Sequence, residues 1–137
     1  MSERVELQAE IDAPRRVLFE LLATAEGLRR WLDGAELDER VGGAVRLRLR
    51  DAEAVGAVLS LQPPQHISFT WDWLDAPLGA TSVVAFDAID HGARTHLTIR
   101  HVGLPTAEQV ALHTDLWRHW LARLIVAARA LPPAQPS

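Results

Sequence analysis

The stretch HISFTWDW, His66 to Trp73, alternates without a break. Ile67, Phe69, Trp71 and Trp73 fall on one side of an extended chain, and His66, Ser68, Thr70 and Asp72 fall on the other. Such alternation predicts a half-buried strand. Its apolar side carries two indoles and a phenyl ring in one row. Whatever covers that row must be long and must bring large apolar groups of its own.

The segment GLPTAEQVALHTDLWRHWLARLIVAARAL, residues 103–131, has those properties. His113, Leu116, Trp117, Trp120, Leu121, Leu124 and Ala128 recur at helical spacing and line one face. Thr106 and Gln109 have capping-box spacing. A helix of about 25 residues is roughly 37 Å long, enough to cross strands of roughly 25 Å each. The tryptophan row of residues 66–73 is therefore expected to meet Trp117 and Trp120.

The remaining segments fill in the sheet. RVELQAEI (4–11) alternates and predicts a first strand. DAPRRVLFELLAT (12–24) predicts a helix, with Asp12 as a cap and Pro14 in its first turn. TAEGLRRWLD (24–33) predicts a second short helix, weakened by Gly27. From Ala35 to Val102 the period is two, giving about six strands. Gly56 marks a bulge or a close approach, Pro63 and Pro64 break the ladder, and DHGA (90–93) reads as a tight hairpin. Short connections between these strands imply an antiparallel meander. Arg46, Arg48 and Arg50, with Asp72 and Arg100, are expected on the outer face as cross-strand ion pairs.

The chain has 137 residues, a length that suggests one domain, expected over 1–131 with a disordered tail at 132–137. It has no cysteine, which excludes disulfide and thiolate chemistry and fits a cytoplasmic setting. No apolar run is long enough to span a bilayer, and the first residues lack a signal peptide's apolar stretch. The net charge is −4 and the arginines are scattered, so nothing supports a grip on nucleic acid. The histidine spacings give no metal site, and no cofactor fingerprint or nucleophile with a neighbouring base is visible along the chain.

The series IDAPRRVLFELL, GLRRWL, VGGAVRLRL, GAVLSLQPPQHISFTWDW, RTHLTIRHVGLP and LWRHWLARL resembles the SRPBCC or START-like superfamily. More narrowly it is similar to the branch homologous to the activator of the heat-shock protein 90 ATPase. The resemblance covers nearly the whole chain. It implies an α+β helix-grip fold: a curved antiparallel sheet of six or seven strands wrapped around the long C-terminal helix, with two short helices after the first strand. Where that family usually has Gly-Trp in the last helix, this chain has Leu116-Trp117.

The expected function is binding of a small hydrophobic or aromatic molecule between sheet and last helix, without cofactor or metal. Phe69, Trp71, Trp73, Ile99, His101, His113, Trp117 and Trp120 are the candidate ligand-binding residues. His101 shares its strand face with Leu97 and Ile99, and His113 shares its helix face with the two tryptophans, so both point inward. They could act as polar anchors or as an acid–base pair. The alternatives are a cyclase- or aromatase-like enzyme using that pair, and an interaction module that contacts a chaperone or forms a homodimer through its surface.

Overall fold

The computed structural model describes residues 4–130; the expected tail at 132–137 lies outside them. The elements are β1 (Val5–Ile11), α1 (Arg15–Ala23), α2 (Ala25–Leu28), β2 (Gly34–Leu37), β3 (Ala44–Leu49), β4 (Ala52–Gln62), β5 (His66–Trp73), β6 (Ser82–His91), β7 (Arg94–Val102) and α3 (Ala107–Ala130). The strands form one seven-stranded sheet in the order β1-β7-β6-β5-β4-β3-β2. Every neighbouring pair is antiparallel. The sheet is the expected curved helix-grip, and β5 spans HISFTWDW residue for residue.

The inner faces of β5, β6 and β7 carry Ile67, Phe69, Trp71, Val84, Phe86, Ala88, Leu97 and Ile99, all buried. From α3 come Val110, His113, Trp117, Trp120, Leu124 and Ala128, also buried. Leu116 and Leu121, read on the same helical face, are only half-buried because they lie on its flanks. The α3 N-terminus is capped as expected, with the Gln109 N–H donating to Thr106 Oγ1 at 3.1 Å. Trp31, the fifth tryptophan, is buried and packs edge-on against Phe86, with ring centroids 6.3 Å apart. Its indole N–H donates to the Leu21 carbonyl at 2.8 Å, and Arg123 of α3 donates to the Trp31 carbonyl at 3.0 Å.

Four local expectations are corrected. Asp12 does not cap α1: Pro14 occupies the N-cap with no side-chain hydrogen bond. The second helix is one turn, Ala25–Leu28, capped by Thr24. Gly27 is no defect there, because a Cβ at this position would lie 1.8 Å from the Glu20 carbonyl oxygen of α1. Arg46 and Arg48 pair with Glu53, and Arg100 with Glu6 and Asp87, as outer-face ion pairs. Asp72 instead accepts the backbone N–H groups of Trp73 and Leu78, and the Arg50 N–H donates to Asp33.

Gly56 marks a close approach and not the bulge. A Cβ there would sit 1.8 Å from the Thr70 carbonyl oxygen of β5. Gly56→Ala is expected to push β4 off β5 and cost about 2 kcal/mol, as overpacking typically does. Urea denaturation measures it, and an unchanged midpoint would mean that the two strands can separate without cost. The β4–β5 register shift lies farther along, between Val58 and Ser60. Val58 faces inward, and strict alternation would send Ser60 inward too. The shift places Ser60 opposite Ser68, on the outer face.

Candidate functional site

Five rings of the expected site meet in one layer between sheet and α3. Trp71 lies with its ring centroid 5.1 Å from Trp73, 5.4 Å from His101 and 5.3 Å from Trp117. His101 and His113 face each other edge-on at 5.0 Å. Phe69 and Ile99 are buried as well, and Phe69 reaches the layer through Phe86, which stacks edge-on against Trp117 at 5.8 Å. Trp120 stands apart, packed against His119 with Arg123 over its ring at 4.9 Å. Phe86 was not singled out from the sequence, although the alternation of its strand already turns it inward.

The layer is closed. Trp71 and Trp120 are 1% exposed, Trp117 and His101 0%, and His113 2%. Only Trp73, at the end of β5, is half-exposed. The rings therefore fill the space they occupy, and anything entering must move one of them. Trp73 is the ring placed to do so.

Hydrogen bonds fix the protons of both histidines. A carbonyl only accepts, so the 2.7 Å contact between His113 Nδ1 and the Gln109 oxygen places a proton on Nδ1. His113 Nε2 then accepts the Trp73 indole N–H at 3.0 Å. On β7, His101 Nδ1 accepts the Trp117 indole N–H at 3.1 Å. Its Nε2–H donates to Ser82 Oγ at 3.0 Å, and the Ser82 hydroxyl donates to the Trp71 carbonyl at 2.6 Å. Two relays thus tie α3 to β5, β6 and β7 through the apolar layer.

Both rings are held neutral. Burial is the main cause for His101, with His113 alongside adding to it, and its pKa falls to about 3. Burial also lowers the pKa of His113, opposed by the Gln109 carbonyl. A general acid or base works best near the operating pH and needs a nitrogen open to substrate. Neither ring offers a free nitrogen, so the geometry supports anchoring and not proton transfer.

One donor in the layer is unmet. The Trp71 Nε1–H is buried and has no hydrogen-bond partner among the described residues. The indole N–H groups of Trp31, Trp73 and Trp117 all have acceptors. A buried donor without an acceptor costs about 1–3 kcal/mol.

The outer face assembles a second cluster that no spacing along the chain announced. His66 on β5 lies between Asp87 on β6 and Ser60 on β4, with Ser68 against Ser60. These partners meet only across three strands and only after the β4 register shift, so no nucleophile stands beside a base along the chain. Among the described residues, no group of three His, Asp or Glu side chains is placed to hold a metal ion. None of the described helices is long and apolar enough to cross a membrane.

Comparison with known proteins agrees with this architecture. The family described as Activator of Hsp90 ATPase homolog 1-like protein matches residues 12–128. No curated protein matches the chain. Among solved structures, protein MLL2253 from Mesorhizobium loti superposes with a TM-score of 0.84 at 19% identity, over 94% of this chain and 98% of that one. The Aha1 dimer from Colwellia psychrerythraea gives 0.77 at 18% identity, over 95% and 98%. PFC0360w, an HSP90 activator from Plasmodium falciparum, gives 0.76 at 24% identity, over 91% and 95%. At these identities the likeness is one of fold.

Proposed function

We propose that this chain, which belongs to the Activator of Hsp90 ATPase homolog 1-like family, binds a small, flat, mostly apolar molecule carrying one hydrogen-bond acceptor in the layer between sheet and α3. The observation that carries the reading is the unmet Trp71 N–H inside an otherwise satisfied aromatic layer. Apolar pockets with one or two placed polar groups are the usual design for such ligands. The ligand's acceptor meets Trp71, its rings stack among Trp71, Trp73 and Trp117, and entry is by displacement of Trp73. His101 holds the Trp117 indole in place, while the Trp73 indole gives up its hydrogen bond to His113 as it moves.

Quinoline and naphthalene test this, since they share a shape and differ in one acceptor nitrogen. Tryptophan quenching is expected to saturate with both, with quinoline bound roughly 5–10-fold more tightly, the worth of one hydrogen bond. Trp71→Phe removes the N–H and is expected to erase that preference. Equal binding of the two by the parent, or no binding of either, would contradict the proposal.

A second reading rests on the closed packing of the same rings. If Trp73 does not yield, the layer is core, and the domain acts through its surface as a chaperone contact or as a homodimer. The HSP90 activator and the Aha1 dimer among its structural relatives support that reading. Sedimentation of the chain alone and with the chaperone separates these cases.

A further inference from the structure

We propose that the outer face of the sheet carries a second, hydrolytic site for small acyl esters, with Ser60 as nucleophile, His66 as its general base and Asp87 positioning the imidazole. It lies on the opposite face from the aromatic layer and does not depend on it.

The proton order follows from the contacts. Asp87 Oδ1 lies 2.7 Å from His66 Nδ1, and a carboxylate only accepts, so Nδ1 carries the proton. His66 Nε2 therefore presents its lone pair to Ser60 Oγ, also at 2.7 Å, and the hydroxyl donates to it. Ser68 supplies its own hydroxyl proton to Ser60 Oγ, since the Ser60 proton is already committed to His66. Arg100 Nη1 holds the other Asp87 oxygen at 3.3 Å. This is the acid–base–nucleophile order that activates a serine hydroxyl, recognised by geometry and not by position in the chain.

The placement is built by the fold. The β4 register shift between Val58 and Ser60 turns Ser60 out of the core and toward β5. Bulges that re-aim one side chain recur beside active sites. The side chains of His66 and Asp87 are 23% and 29% exposed, reachable yet partly desolvated. A groove of about 510 Å³ runs over His66, Asp87 and Arg100, flanked by Gln62 and Gln65. The carboxamides of Gln62 and Gln65 line this groove beside His66, where a donor to an oxyanion would be needed; Ser60 itself borders the groove through His66.

In the reaction, Ser60 Oγ adds to the acyl carbonyl carbon while its proton passes to His66 Nε2. The tetrahedral intermediate collapses, the carbon–oxygen bond to the alcohol breaks, and the alcohol leaves with that proton. Water then adds to the acyl-Ser60, losing a proton to the same nitrogen. The carboxylic acid departs as Ser60 takes the proton back.

Hydrolysis of p-nitrophenyl acetate and labelling with a fluorophosphonate test the site. The expected result is one label per chain, found on Ser60 by peptide mass spectrometry. Ser60→Ala and His66→Gln are each expected to lower the rate about a hundred-fold. Asp87→Asn should lower it as well, and should change the pH dependence because the imidazole loses its fixed tautomer. Thermal midpoints of the three variants are measured alongside, so that a rate lost in a chain that is still folded separates chemistry from folding. Labelling elsewhere, no labelling, or a Ser60→Ala rate equal to the parent's would overturn the proposal and leave a cross-strand polar ladder.

Discussion

Replacing Trp117 by alanine is expected to cost about 5 kcal/mol, which would unfold much of a domain of ordinary stability. The ring is 0% exposed and touches Trp71, Phe86 and His101. Its loss opens a large apolar void, which accounts for about 3–5 kcal/mol. It also strips His101 Nδ1 of its donor, adding about 1 kcal/mol or more. Trp117→Phe keeps most of the bulk and loses the N–H, so about half the effect is expected. Urea denaturation measures both. A loss below about 1 kcal/mol for the alanine variant would mean that α3 is not held by this ring.

Mild acid is expected to destabilise the protein through the two buried histidines. In the unfolded chain an imidazole binds its proton at about pH 6.5. In the folded protein His101 does so only near pH 3, and the His113 value is shifted the same way. Between those limits the unfolded state holds more protons, so stability falls as pH falls and is fully present above about pH 7. For His101 alone the loss reaches about 3 kcal/mol by pH 4.5. Protonation would also place an N–H on His101 Nδ1, against the Trp117 indole N–H. Glu6, Glu10 and Glu53 have pKa values held below the ordinary range by hydrogen bonds from Arg100, His91 and Arg46. Their contribution is lost at lower pH still, so the interval from 6.5 to 5 reports mainly on the histidines. Denaturation midpoints at pH 7.5, 6, 5 and 4.5 check this. A flat profile above pH 5 would contradict the neutral relays. His101→Leu should flatten the slope whatever its effect on absolute stability.

Most of the sheet could be read from the sequence because its strands other than β4 alternate, and β5 emerges with the expected limits. The inward turn of His101 and His113 followed from the same periodicities. Gly27 misled because helix propensity is local, whereas its packing against Glu20 is tertiary. The unmet Trp71 N–H could not be foreseen, since whether a donor finds an acceptor depends on rings from four elements. The Ser60–His66–Asp87 cluster was hidden for a different reason. One extra residue in β4 reverses which side chains face outward, and no feature between Val58 and Ser60 advertises the shift.

The most direct measurement is the indole N–H region of a proton–nitrogen spectrum, with the five tryptophans assigned by substitution and the protein titrated with quinoline. The ligand-binding account predicts that the Trp71 N–H resonance moves downfield as it gains an acceptor, that Trp73 broadens or shifts as it makes way, and that Trp31 stays in place. Saturating changes that spare Trp71, or a spectrum indifferent to quinoline, would contradict it.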